Sequence, residues 1–203
     1  MAKGVLLIIS GPSGSGKGTI VEQLVSELGY CVSISATTRN PRPNEKDGIH
    51  YFFKTKEEFE KMIDNGELLE HAAFCENYYG TPKKYVEEQL ESGKNIILEI
   101  EVQGALQVKK KYNDAVLIFT MPPTLTELRR RLEFRGTETK EVIDARINRA
   151  EEELEFLPDY DYIVINDTVD EAVKDVDCIV KAERMKCSRN PELKNKFKGV
   201  VNK

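Results

Sequence analysis

The sequence predicts an α/β fold, a three-layer core in which helices cover both faces of a central parallel sheet. Three features point to it: short runs of consecutive apolar residues, amphipathic stretches between them, and a glycine-rich turn joining the first run to the first amphipathic stretch. Val5 to Ser10 reads as a strand covered on both faces, because its apolar residues do not alternate with polar ones. Residues 18–28 place Ile20, Val21, Leu24, Val25 and Leu28 at helical spacing, and Gly29 supplies a stop. Further strands are expected over 31–35, 95–100, 115–120 and 162–165, with helices over 102–111, 124–134, 139–156 and 168–183. From 38 to about 80 the pattern breaks: Pro41, Pro43, Gly48, Gly66 and Gly80 punctuate a stretch dense in aromatics. That stretch reads as a small inserted α+β subdomain, with strands near 50–53 and 68–74 and a helix near 55–65. The lysine-rich end, from Ala182, lacks periodicity and reads as a partly ordered tail.

Composition bounds the function. The chain has 203 residues, 40% hydrophobic and 32% charged, which suits one globular domain with a small excursion. A net charge of −5 argues against unselective binding to nucleic acid. No apolar run approaches the roughly 18 residues of a membrane span, and the apolar start turns into glycines without a cleavage site, so the cytoplasm is the expected location. Cys31, Cys75, Cys178 and Cys187 form no CxxC pair, which suggests neither a zinc site nor a disulfide framework. Oligomeric state is not fixed by the sequence, and a homo-oligomer stays open.

Gly11-Pro12-Ser13-Gly14-Ser15-Gly16-Lys17 follows a predicted strand and opens a predicted helix, the setting a phosphate-binding loop requires. Glycines let successive N–H groups curl toward phosphate oxygens, the helix adds its positive end, and Lys17 adds a mobile point charge. Such a loop makes the core P-loop NTPase-like and marks Gly11 to Thr19 as a segment that binds the phosphates of a nucleotide, which the resemblance given below implies is ATP. Gly18 stands where a Ser or Thr hydroxyl commonly meets Mg²⁺, and Thr19 follows one position later. The ion is therefore expected through the ATP phosphates, with its protein ligand unassigned.

A second constellation lies in the inserted segment. Arg39 and Arg42, three apart and held by prolines, offer bidentate donors for a second phosphate. Tyr51 and Tyr79 offer phenol donors, and Glu70 a carboxylate able to accept from a purine's N–H groups. Glu99 and Glu101 sit at the C-terminal end of a central strand, where open α/β sheets place ligands. His50 and His71 have no partner at metal spacing and read as packing or surface residues.

The stretches GPSGSGKGT, SATTRNPRPNEKDGIHYFF, NYYGT, ILEIEVQGA, RRRLEFRGTE and IVIND, in this order, resemble the bacterial guanylate kinases from about residue 4 to residue 183. The resemblance implies phosphoryl transfer from ATP to GMP, with dGMP as a related acceptor and Mg²⁺ as cofactor. It implies GMP binding by Ser35, Arg39, Arg42, Tyr51, Glu70, Tyr79 and Thr81, with Glu99 and Glu101 facing the guanine or the Mg²⁺ and its waters. It divides the chain into a core (about 4–37, 82–125 and 157–183), an NMP-binding insertion (38–81), a helical lid (126–156) and a basic tail (184–203). In that lid Arg131, Arg135 and Arg146, with Arg149 beside them, would fold over ATP and join Lys17 and Arg42 in catalysis. Asn166 would lie near the adenine, although a strand-ending turn also accounts for it. A catalytically silent scaffold would be expected to lack Lys17, and a kinase for AMP, UMP or dTMP would have little use for Glu70 paired with Thr81.

Overall fold

The computed structural model describes residues 3–74, 76–134, 136 and 138–198. Nine strands and eight α-helices follow one another as β1 (Leu6–Ser10), α1 (Lys17–Leu28), β2 (Cys31–Val32), β3 (Ala36–Thr37), β4 (Phe52–Phe53), α2 (Lys56–Asp64), β5 (Leu68–Phe74), β6 (Asn77–Pro82), α3 (Lys83–Glu91), β7 (Ile96–Glu99), α4 (Val102–Lys111), β8 (Val116–Met121), α5 (Leu125–Phe134), α6 (Lys140–Leu154), β9 (Tyr162–Ile165), α7 (Val169–Met185) and α8 (Leu193–Lys198) among the described residues.

The central sheet runs β2-β7-β1-β8-β9, and every pairing in it is parallel. Alternate residues of the buried strands feed two cores. Leu7, Ile9, Ile97 and Val116 pack under α1 and α7, while Leu6, Ile8, Ile96 and Leu117 pack under α3 and α4. This is why β1 shows no polar alternation: all five of its residues are buried. At roughly 25 cal/mol per Å² of apolar area, these two layers dominate the stabilisation of the chain.

The insertion has its own sheet, ordered β4-β3-β6-β5, with β3 parallel to β4 and antiparallel to β6. Phe59 of α2, Ala36 and Leu68 close a small core beneath it. Ala36–Thr37 thus belong to the insertion's sheet, one element earlier than the sequence suggested. The α2 start is fixed by a capping box, in which Thr55 Oγ1 accepts from Glu58 N and Thr55 N donates to Glu58 Oε2. Helices α5 and α6 form a hairpin around Leu128, Leu132, Ile143 and Ile147, strapped by Arg129 and Asp144 at 2.5 Å.

Three further features depart from the sequence expectation, the first being β6, which pairs with β3 and β5 where no strand was expected. Helix α3 was not expected, because Val86 and Leu90 are its only buried residues in a charged stretch. Among the described residues, the lysine-rich end carries more regular structure than expected, as far as Lys198. Helix α7 runs on to Met185, Arg189 bridges to the buried Glu183 and to the Asp114 carbonyl, and α8 follows. No helix among the described residues is long and apolar enough to cross a membrane.

Candidate active site

The turn between β1 and α1 supplies the first half of the site. Gly11 has φ +140°, and a β-carbon there would stand 2.2 Å from the Thr120 carbonyl oxygen of β8. Gly16, at φ +90°, would likewise collide with Asn166 Nδ2 at 2.2 Å. Glycine is needed at both points because the loop is pressed against its neighbours. Ser15 N closes the loop onto the Pro12 carbonyl at 3.1 Å. The buried Ser15 hydroxyl makes no hydrogen bond, leaving its capacity available to an anion. Lys17 Nζ bonds to the carbonyls of Gly11 at 2.5 Å and Pro12 at 3.1 Å, which arches the ammonium back over the loop.

Asn166 is buried, and its amide donates to the Ser15 carbonyl at 2.8 Å while its own N–H bonds to Met121. Its side chain is therefore a brace under the phosphate loop, and that accounts for its place at the end of β9. Beside it, Arg131 Nη2 donates to the carbonyls of Asn166 at 2.9 Å and Asp167 at 3.3 Å. Arg131 Nε donates to Glu127 at 2.8 Å, and Glu127 also accepts from Nε and Nη2 of Arg130. These two arginines hold the Glu127 carboxyl down at about 2. Through the Arg131 bonds α5 meets the β9–α7 turn, and Leu132 packs where a β-carbon on Gly14 would stand 2.9 Å away.

Arg146 reaches the loop from α6, where it hydrogen-bonds the Ser13 hydroxyl and pairs with Glu138 at 2.6 Å. Arg149 stays exposed, bonding Glu153 at 3.3 Å and Glu152 at 3.4 Å. Arg135 lies outside the described residues, as do Thr137 and Cys75. Gly14, Gly16, Thr19, Arg130, Arg131 and Phe134 line a cavity of about 280 Å³ alongside the loop.

The acceptor half is built on the second sheet. Leu68 pairs with Pro82 but His71 with Gly80, so two residues of β5, Leu69 and Glu70, oppose Thr81 alone. This bulge turns Glu70 inward. Glu70 is 6% exposed, and its Oε1 accepts from Thr81 Oγ1 at 2.7 Å. Burial pushes its carboxyl above the usual range, with the Thr81 hydroxyl and the more distant Lys111 pulling the other way. Helix α4 supports it from the core side, where a β-carbon at Gly104 would stand 3.2 Å from Glu70 Oε2.

Some distance along the same sheet, Arg39 sits with its guanidinium carbon 5.4 Å from the Tyr51 ring centre, and the Tyr51 and Tyr79 rings lie 6.3 Å apart. Arg42 is exposed nearby, and Ser35 is half-buried, its carbonyl accepting from Phe52 N at 2.8 Å. The site thus has an aromatic, arginine-bearing end and a buried carboxylate end.

Glu99 ends β7 between the two halves. Its Oε1 lies 4.0 Å from where a β-carbon of Gly18 would stand, so a carboxylate borders the place where a hydroxyl is missing. Loss of water around Glu99 raises its carboxyl, Lys17 lowers it, and Glu101 raises it further. Glu101 opens α4 as its N-cap residue and is exposed. Among the described residues, no three His, Cys, Asp or Glu side chains converge as a metal cage.

Two residues here escaped the sequence reading. Glu153 of α6 is 4% exposed, with Oε2 unpartnered, and is raised first by burial and next by Glu101, against Arg149 and Lys17. Glu45 binds Arg39 (below). Glu153 lies in no glycine or arginine motif, and Glu45 lies in the arginine-bearing stretch without a role that its residue type announces, so only their three-dimensional neighbours reveal them.

Comparison with known proteins agrees with this geometry. The guanylate kinase family model matches residues 3–183. The chain belongs to the guanylate kinase family. It is 53% identical over 190 residues to the guanylate kinase of Oceanobacillus iheyensis, covering 92% of this chain and 91% of that one. The guanylate kinase of Desulfitobacterium hafniense is 48% identical over 198 residues, covering 97% and 98%. Among solved structures, the guanylate kinase from Anaplasma phagocytophilum matches with a TM-score of 0.70 at 34% identity, covering 93% of this chain and 90% of that one. The family's fold is the one described above, with the phosphate loop at the C-terminal edge of a parallel sheet.

Proposed function

We propose that the chain transfers the γ-phosphoryl group of ATP to GMP, yielding ADP and GDP. The observation that carries this is the pairing, in one site, of a lysine-bearing phosphate loop with a second pocket that has arginine and tyrosines at one end and the buried Glu70–Thr81 pair at the other. A guanine presents two adjacent donors, N1–H and the 2-amino group, which suit an ionised carboxylate. Adenine presents an acceptor at N1 and is refused by the same group.

In this reading Gly11 to Thr19 bind ATP, with Lys17 at the β- and γ-phosphates and the cavity beside Arg130 and Arg131 taking the nucleoside side. GMP lies with its phosphate on Arg39, Arg42, Tyr51 and Tyr79 and its base on Glu70 and Thr81, with Ser35 alongside. An oxygen of the GMP phosphate attacks the γ-phosphorus, the bond to the β–γ bridging oxygen breaks, and its electrons leave with ADP. The attacking oxygen is already anionic, so no general base is needed. Charge grows on the transferring group's oxygens, and Lys17, Arg131, Arg135 and Arg146 oppose it. Arg131 donates to the Asn166 and Asp167 carbonyls, which holds its guanidinium beside the phosphate loop.

The residues suit Mg²⁺ carried by the triphosphate: the side-chain atom beside Gly18 is a hard oxygen, Glu99 Oε1, and no all-protein cage is present among the described residues. The ion would supply neutralisation of the triphosphate's charge, and Glu99 and Glu101 would face either the guanine or the ion's waters. In this reading the chain divides into a core, a GMP-binding insertion (about 38–81, whose sheet also takes in Ala36–Thr37), a lid (about 126–156) and a basic tail, and works in the cytoplasm.

A coupled assay of ADP release with ATP and GMP, AMP, UMP or dTMP tests the reading. Rapid turnover is expected with GMP alone, and equal rates with AMP would refute it. Two further results are expected. Gly104→Ala crowds Glu70 by about 1 kcal/mol or more, so KM for GMP rises roughly fivefold or more while KM for ATP stays within twofold. The raised Glu70 carboxyl must be ionised to accept from guanine. As pH falls, Glu70 takes up its proton earlier than an exposed glutamate near roughly 4.3, so KM for GMP rises while the ATP site is still intact. A KM–pH profile checks this, and Glu70→Gln is expected to flatten it.

A further inference from the structure

Glu45 lies in the acceptor segment, in none of the groups assigned above, yet it is the residue most tightly bound to Arg39. Its Oε2 accepts from Arg39 Nη1 at 3.0 Å and its Oε1 from Nη2 at 2.9 Å. Both side chains are largely shielded, 18% and 17% exposed. Arg39 Nη1 gives its other hydrogen to the Asn40 carbonyl at 2.7 Å.

A guanidinium has five N–H donors in a fixed plane. These three bonds consume both hydrogens of Nη1 and one of Nη2. The edge formed by Nε and the second hydrogen of Nη2 is untouched by these three bonds, and it is a parallel pair of donors suited to a phosphate, which would share the guanidinium with the Tyr79 hydroxyl. The Tyr79 hydroxyl acts on the same guanidinium, and the Tyr51 ring lies against it. That edge therefore belongs to the aromatic end of the acceptor pocket.

Glu45 is itself held in place. Its Oε2 also accepts from Arg42 N at 2.7 Å, and its own N–H donates to the Arg42 carbonyl at 3.0 Å. These reciprocal bonds close a turn at Asn44, whose φ is +76°. A carboxylate tied into the backbone turn that carries Arg42 does not swing away when a phosphate arrives.

We propose that Glu45 is a positioning residue that aims Arg39, by occupying one face of its donor fork so that the other meets the acceptor phosphate, and that registers Arg39 with Arg42 through the shared turn. The inference rests on the reading that Arg39 binds the GMP phosphate. Glu45 brings a negative charge toward a dianion, so geometry and charge oppose each other here, and the proposal is that geometry wins.

Binding of GMP and of guanosine to Glu45→Ala and Glu45→Gln by calorimetry decides the matter, because guanosine fills the base end and has no phosphate to aim. The expected result is GMP affinity weakened roughly tenfold or more, guanosine affinity within twofold of the parent, and KM for ATP unchanged. Unchanged or tighter GMP binding would overturn the proposal, since the carboxylate would then merely occupy the phosphate's place. Equal weakening of GMP and guanosine would overturn it too, showing general damage to the segment. Arg39→Ala is the control: if it leaves GMP affinity intact, the acceptor reading falls and takes the role of Glu45 with it.

Discussion

Lys17→Ala is expected to reduce kcat by roughly 10³-fold, with a much smaller change in KM for GMP. The ammonium is arched over the loop by the carbonyls of Gly11 and Pro12, so its charge is in place before ATP arrives and costs no reorganisation during transfer. Removing it leaves the backbone N–H groups and Arg131 to bind ATP, which is why the loss falls on turnover. The glycines at 11 and 16 and the Asn166 brace are untouched, so the variant should fold, and its unfolding temperature serves as the check. Steady-state kinetics in both substrates measure the split. A kcat within threefold of the parent would remove Lys17 from the chemistry.

Glu70→Gln should lower kcat/KM for GMP by roughly 10³-fold or more, because a site built to pair a particular set of donors penalises a mismatch heavily. The amide keeps one acceptor but turns a donor toward a guanine N–H, deep in a pocket where water cannot compensate. ATP binding should survive, and the preference for GMP over AMP should shrink from both directions. Thr81 sharpens the effect, since its hydroxyl now donates to Glu70 Oε1 at 2.7 Å and would have to reorient. Side-by-side kinetics with GMP and AMP read the change. A variant that keeps its GMP preference would place guanine recognition elsewhere.

Features encoded locally were legible in the sequence. The phosphate loop and α1 depend on a contiguous run, so spacing alone located them, including the left-handed Gly29 that ends the helix. Helix α3 was missed because it buries only Val86 and Leu90, too few for a periodic signal. Strand β3 is two residues long and finds its partner β6 some forty residues away. No local pattern carries that information. Glu70, Tyr79 and Thr81 could be nominated from residue type and resemblance, but the bulge that makes Glu70 face Thr81 appears only in the pairing register.

The residues that hold other residues were the least visible. Asn166 ends a strand in either reading, and only its bond to the Ser15 carbonyl distinguishes a brace from a turn. Arg131 can be nominated for its charge, but its tie to the β9–α7 turn appears only in three dimensions. The basic end lacks periodicity because Arg189 and Glu183, rather than an apolar face, hold it.

The account depends on two clefts that face each other across a few ångströms, so that one phosphoryl group can pass between them. Affinity for a single molecule in which adenosine and guanosine are joined through five phosphates measures that arrangement directly. Adjacent, correctly oriented clefts predict binding more than roughly 10²-fold tighter than ATP or GMP alone, since the second half binds at high effective concentration. Affinity no better than that of ATP would contradict the account, because the two nucleotides could not then be held end to end.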